Sequence, residues 1–227
     1  MKILARGEKI RTEELKQKLS SVDCDLVCVD EHELVPANVQ EFDLFFDLAF
    51  DELPGRLIDY ASLQGKPIIV SSVRTQLAQA VHDFGKEVKC SLYGMNALPT
   101  FINRNLVEIS MLHDTDHSSL EKVMLDLKWN HQVVEDRVGM VTPRIIFMII
   151  NEACYTVMEG TAGMKDIDTA MKLGTNYPFG PFEWADKIGI RHVYSTLEAV
   201  YNDTHDERYK ICPLLKTKFL KGESFYG

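Results

Sequence analysis

Residues 151–186 read NEACYTVMEGTAGMKDIDTAMKLGTNYPFGPFEWAD. Gly180-Pro181 forms a rigid turn in this stretch, and Phe182 and Trp184 behind it are large apolar groups suited to packing a small domain. Immediately upstream, Ile145, Ile146, Met148, Ile149, Ile150, Ala153, Cys154, Val157 and Met158 leave almost no polar face on a helix. A helix apolar all round has to be buried on all sides. A domain of roughly 90 residues encloses such a helix with difficulty, so a second copy of the chain packed on the helix near 144–158 is the expectation. The character changes at Val138, and from there the pattern is helical throughout.

Upstream of Val138 short apolar runs alternate with helical patterns. Strands are expected at Lys2–Ala5, Asp25–Val29, Asp43–Leu48, Pro67–Val70, Val88–Leu92, Leu106–Ser110 and 132–134. Helices are expected near 54–64 and 75–84, and over 13–20 with Thr12 as N-cap and Glu13 and Glu14 in the first turn. Strands alternating with helices imply an open, doubly wound α/β sheet. The expected organisation is a shortened Rossmann-like nucleotide-binding domain over 1–137, followed by a small all-α domain over 138–227.

The motifs and their spacing identify a family. Asn151-Glu152-Ala153, Glu159-Gly160, Asp166-Ile167-Asp168, Gly174, Pro178, Gly180-Pro181-Phe182-Glu183 and Asp186 together resemble the C-terminal domain of the 3-hydroxyacyl-CoA dehydrogenases, 3-hydroxybutyryl-CoA dehydrogenases included. These are NAD-dependent enzymes of fatty-acid β-oxidation that dimerise through this domain. The likeness implies hydride transfer to NAD from C3 of an acyl-CoA substrate, with a His as proton acceptor and a Glu orienting it.

The residues that would carry this chemistry are altered. The family's G-x-H-F-F-N-P segment corresponds to Gly94-Met95-Asn96-Ala97-Leu98-Pro99-Thr100, and its L-V-E segment to Leu106-Val107-Glu108 at the same spacing. Asn96 thus stands at the position of the His and Glu108 at that of the Glu. Asn has no titrating proton near neutral pH and cannot act as general base. The family's S-N-T-S corresponds to Ser71-Ser72-Val73-Arg74, and a further family Asn falls on Pro143. Ser71 and Ser72 remain candidates for the site.

The cofactor turn departs most. The family's G-x-G-x-x-G brings backbone N–H groups to the NAD pyrophosphate. Here the turn is Ala5-Arg6-Gly7-Glu8-Lys9-Ile10-Arg11, with Gly7 the one glycine left; Arg6, Lys9 and Arg11 read as flexible point contacts. Asp30 ends the second strand, where a Rossmann fold places its ribose-binding acid. Gly7 and Asp30 are therefore vestigial cofactor positions. The long helical hairpin that the family carries between its second and third strands, and that touches CoA, is reduced to His32–Phe42.

The other features are blander. A net charge of −9 speaks against non-specific binding to nucleic acid or an anionic membrane. No run of about 20 apolar residues could span a bilayer. Five cysteines without a C-x-x-C fit free thiols in a reducing cytoplasm, with Cys24 and Cys28 packed as small hydrophobes. His113 and His117, near Asp114 and Asp116, read as a solvated loop and helix cap, and no metal site is expected. The favoured reading is a catalytically impaired member of the family that dimerises and binds an acyl-CoA or another small ligand in the inter-domain cleft. The alternatives are an active NAD-dependent dehydrogenase with atypical residues and a non-catalytic partner subunit of an active paralogue.

Overall fold

The computed structural model describes every residue except Ala37, and of Asp114 only the backbone. The chain divides into two compact units, Met1–Met140 and Val141–Gly227.

Among the described residues of the first unit, seven strands form one sheet in the order β2-β1-β3-β4-β5-β6-β7. They are β1 (Lys2–Arg6), β2 (Asp25–Val29), β3 (Leu44–Asp47), β4 (Pro67–Ser71), β5 (Ser91–Met95), β6 (Leu106–Met111) and β7 (Asn130–Val133). All neighbours pair parallel except β5 and β6. Parallel pairing demands crossovers with cover on both faces. One face carries α1 (Lys9–Lys18) and α3 (His117–Leu127), which bury Leu15, Leu19, Leu120 and Met124 against Ile3, Phe46, Ile69 and Tyr93. The other carries α2 (Leu77–Phe84) and the 3₁₀ turn Pro54–Asp59, which bury Leu77, Ala80 and Leu57 against Leu4, Phe45 and Ile68.

Several local expectations shift. The segment at 54–64 is 3₁₀ only, over Pro54–Asp59. The fifth strand runs Ser91–Met95 rather than Val88–Leu92, because Lys89 is tied to the preceding loop by Lys89 N–H to Ala61 O and Gly65 N–H to Lys89 O. The helix expected from residue 13 begins at Lys9 with Glu8 at the N-cap position. Thr12 lies inside it and donates its Oγ1 hydrogen to the Lys9 carbonyl at 3.0 Å. Glu13 and Glu14 are consequently mid-helix, and Glu14 accepts from the Thr100 N–H at 2.7 Å. In the stretch read as a solvated loop and helix cap, His117 opens α3 and lies 3.9 Å from Glu121. Cys28 is exposed rather than packed, because it sits on the edge strand β2.

The second unit contains α4 (Thr142–Met158), α5 (Met164–Thr175), α6 (Pro181–Ile188), α7 (Ile190–Thr204) and α8 (Pro213–Lys221). Ile146, Phe147, Ile150 and Cys154 of α4 are buried. Enclosure on all sides does not hold within the chain: Ile145 is 55% exposed and Met158 52%. No helix among the described residues is long and apolar enough to cross a membrane.

Candidate functional site

The carboxyl ends of β4 and β5 gather one group of the residues expected to matter. Ser71 ends β4 opposite Met95, and the Ser72 N–H donates to the Met95 carbonyl at 3.1 Å. Gly94 lies opposite Ser110 of β6. A Cβ on Gly94 would come within 2.7 Å of the Ser72 Cβ, so only glycine lets the strands approach here. The antiparallel register of β5 and β6 ends at Met95↔Ile109, one residue short of Asn96 and Glu108. Ser71 and Ser72 thus lie beside Met95, the residue before Asn96.

The side chains there are mostly engaged in holding the chain. Asn96 is 6% exposed, and its Oδ1 accepts from the Leu98 N–H at 3.3 Å. Ser71 Oγ donates to Asp51 at 2.7 Å, and Ser72 Oγ donates to the Thr75 carbonyl at 2.8 Å. Asp51 is the hub of the loop after β4. Its carboxylate also accepts the backbone N–H groups of Val73 (2.9 Å), Arg74 (2.7 Å) and Thr75 (3.0 Å). Burial pushes the Asp51 carboxyl above its ordinary pKa, against the pull of Arg74 and Ser71. Arg74 is itself bound to Glu52.

Gly7 and Asp30 lie elsewhere, at the carboxyl ends of β1 and β2. The Gly7 N–H donates to the Val29 carbonyl at 3.2 Å, and a Cβ at Gly7 would meet the Leu48 Cβ at 2.9 Å. Asp30 is exposed, and its Oδ1 accepts from the His32 N–H at 2.9 Å, closing a turn. Arg6 and Arg11, expected to be flexible, are 2% and 0% exposed. Arg6 pairs with Asp47 at 3.2 Å and with Asp59 at 2.8 Å, and Tyr60 bridges it to Asp47. Burial raises Asp47 and Tyr60. Burial also opposes the Arg6 charge, but Tyr60, Asp47 and Asp59 outweigh it and its pKa stays above the ordinary value. Arg11 binds the Leu48 carbonyl and pairs with Glu52 at 2.7 Å. Burial works against the Glu52 charge, but Arg11 and Arg74 prevail and hold its pKa below the usual carboxylate range.

Asp47, Asp51, Glu52 and Tyr60 were not singled out from sequence. The available signal was Asp47 closing the apolar run Leu44-Phe45-Phe46, with further acids directly after it. A hollow of about 640 Å³ opens at the amino ends of β1, β3 and β4 near Met1, Leu44, Pro67 and Lys122. It lies at the opposite edge of the sheet from these residues and is not part of the site. Among the described residues no group of three or more His, Cys, Asp or Glu is placed to hold a metal ion.

In the second unit the signature residues wire the domain together. Asp168 is 5% exposed and caps α6, accepting the Phe182 N–H at 2.9 Å and the Glu183 N–H at 3.1 Å, and Tyr226 donates its hydroxyl to the same carboxylate at 2.8 Å. A Cβ at Gly180 would collide with the Asp168 side chain. Asp186 accepts the Phe225 N–H at 2.7 Å and the Tyr226 N–H at 2.9 Å, which docks the tail. Asn151 accepts from the Cys212 N–H at 2.8 Å and donates to the Lys210 carbonyl at 3.0 Å. Pro143 occupies the first turn of α4, where its missing N–H costs nothing.

Residues 139–224 match the model of the 3-hydroxyacyl-CoA dehydrogenase C-terminal domain. The chain is a relative of the 3-hydroxyacyl-CoA dehydrogenases. It is 37% identical over 133 residues to a probable 3-hydroxybutyryl-CoA dehydrogenase of Bacillus subtilis, a match covering 57% of this chain and 45% of that protein. It is 29% identical over 227 residues to the 3-hydroxybutyryl-CoA dehydrogenase of Bradyrhizobium diazoefficiens, covering 92% and 71%. The chain therefore spans less than half of the Bacillus relative. The crystal structure of (S)-3-hydroxybutyryl-CoA dehydrogenase from Ralstonia eutropha shares the fold, with a TM-score of 0.74 at 18% identity, covering 97% of this chain and 94% of that one.

Proposed function

We propose that the chain is a catalytically impaired 3-hydroxyacyl-CoA dehydrogenase relative of cytoplasmic acyl-CoA metabolism, which dimerises and takes an acyl-CoA or another small ligand. The observation that carries this reading is Asn96. It stands where the family resemblance puts the proton acceptor, and its carbonyl oxygen is engaged by the Leu98 N–H. An amide cannot accept and release a proton near neutral pH, and general acid–base catalysis commonly contributes roughly 10²–10⁴-fold. Glu108 is then a positioning residue without a base to position.

NAD is the cofactor that family membership implies, and the residues at the carboxyl ends of β1 and β2 do not fit it. The backbone at Gly7 is held against Leu48 and Val29, and the arginines beside it are paired within the chain. The proposed dimer contact is the face of α4 that carries Ile145, which is 55% exposed. The proposed occupant of that face is a second copy, in keeping with the family.

The test is oxidation of NADH with acetoacetyl-CoA by the purified chain. Turnover is expected far below the ordinary enzyme range of about 1–10³ per second. A rate within that range would overturn the proposal and oblige another residue to carry the proton. Light scattering at micromolar concentration checks the dimer, and a monomeric wild type rejects that part.

A further inference from the structure

The carboxyl edge of the sheet is where open α/β folds hold their ligands, at the point where the strand order reverses. In the order β2-β1-β3-β4 that point lies between β1 and β3. The last residues of these two strands, Arg6 and Asp47, are partners in register, 2% and 0% exposed. Every nitrogen of the Arg6 guanidinium is committed: Nε to Tyr60 at 3.1 Å, Nη2 to Tyr60, Asp47 and Asp59, and Nη1 toward the Glu33 carbonyl at 3.4 Å. On the other side of β3, Arg11 reaches Leu48, Glu52 and Glu8, and Arg74 joins it on Glu52. The loop after β4 turns three successive N–H groups, of Val73, Arg74 and Thr75, on a single anion. Such a nest is a device for binding phosphate, and here the anion is Asp51.

Four of these carboxylates, Asp47, Asp51, Glu52 and Asp59, come from the one stretch 47–59. We infer that this stretch is a built-in occupant of the nucleotide crevice: the unit folds around its own carboxylates in place of a dinucleotide diphosphate and takes up neither NADH nor ADP. A diphosphate could reach Arg6, Arg11 or the nest only by displacing carboxylates, the buried Asp47 and Asp51 among them, from their present cation and N–H partners. Gly7 leaves no compensating approach, since its backbone lies against Leu48. The inference does not depend on Asn96, because a chain without a base can still hold NADH.

The experiment uses the full chain. NADH is titrated while nicotinamide fluorescence and melting temperature are followed, and ADP is titrated separately. A ligand present at about 100 times its Kd would raise the melting temperature of a chain this size by roughly 5–10 °C. The expected result is no saturable fluorescence change and no melting shift with millimolar NADH or ADP. Saturable NADH binding displaced by ADP would overturn the inference, while leaving the argument from the base intact. Arg6→Met and Glu52→Gln supply the second arm, read without ligand. Both are expected to lower the melting temperature, Arg6→Met the more, and failure of Arg6→Met to fold counts as the extreme of that result. If Glu52→Gln melts with the wild type, or if Arg6→Met does so and only loses NADH binding, the cations are held for a ligand and the inference is wrong.

Discussion

The carboxyl edge of the first unit and the signature of the second make different use of their carboxylates. Asp168 and Asp186 each accept two backbone N–H groups, and the residues around them match the family's spacing. Asp47 and Glu52 instead answer arginines, while Asp51 accepts three backbone N–H groups of the loop after β4. The family model thus matches the region in which Asp168 and Asp186 hold a domain together. Identity of this kind testifies to fold, and chemistry has to be argued from the site.

The comparison can be broken most forcefully at Arg6. Arg6→Met leaves Asp47 buried without its cation, and the expected loss of stability by denaturant titration is about 3–5 kcal/mol. The double variant Arg6→Met with Asp47→Leu should recover most of it. An unchanged midpoint in the single variant would mean that the edge is not self-supporting.

Asp168→Ala tests the other region. It uncaps α6 and strips the Tyr226 hydroxyl of its acceptor, so a loss of about 2–4 kcal/mol is expected. Tyr226→Phe removes one of those bonds and should cost about 1 kcal/mol. If Asp168→Ala keeps full stability but alters ligand binding, the signature is functional after all.

A smaller effect separates the regions by pH. The folded-state pKa of Glu52 is lowered, since Arg11 and Arg74 outweigh its burial. Its contribution is therefore present above the unfolded glutamate value and is lost as pH falls through the folded one. Wild type should exceed Glu52→Gln by about 1–3 kcal/mol at pH 7. The gap should close on acidification below the ordinary glutamate range, and a gap that widens there would contradict the assignment.

The smallest effect is expected at Asn96. Asn96→His replaces the missing base, yet turnover with NADH and acetoacetyl-CoA should rise less than about tenfold, short of the 10²–10⁴ a working base supplies, because the cofactor edge stays closed. Restoration to ordinary rates would show that one residue alone separates this chain from an active enzyme.

Much of this was legible in the sequence because it is local. Apolar runs marked the strands, and the spacing of Asp168, Gly180 and Asp186 marked a domain in which Asp168 caps the helix that starts after Gly180. The start of α1 was misread because Thr12 resembles a cap by type. The tight turn at Gly7, tied to Val29, in fact begins the helix at Lys9.

The sequence by itself determined the α/β class and the helical second unit. Only the tertiary structure decided what the arginines do. Arg6 meets Tyr60 across 54 positions of chain, and it does so because the strand order puts β3 beside β1. A long cationic side chain looks solvated in any local window; it is buried only when strand order delivers the matching carboxylates, and no periodicity encodes that.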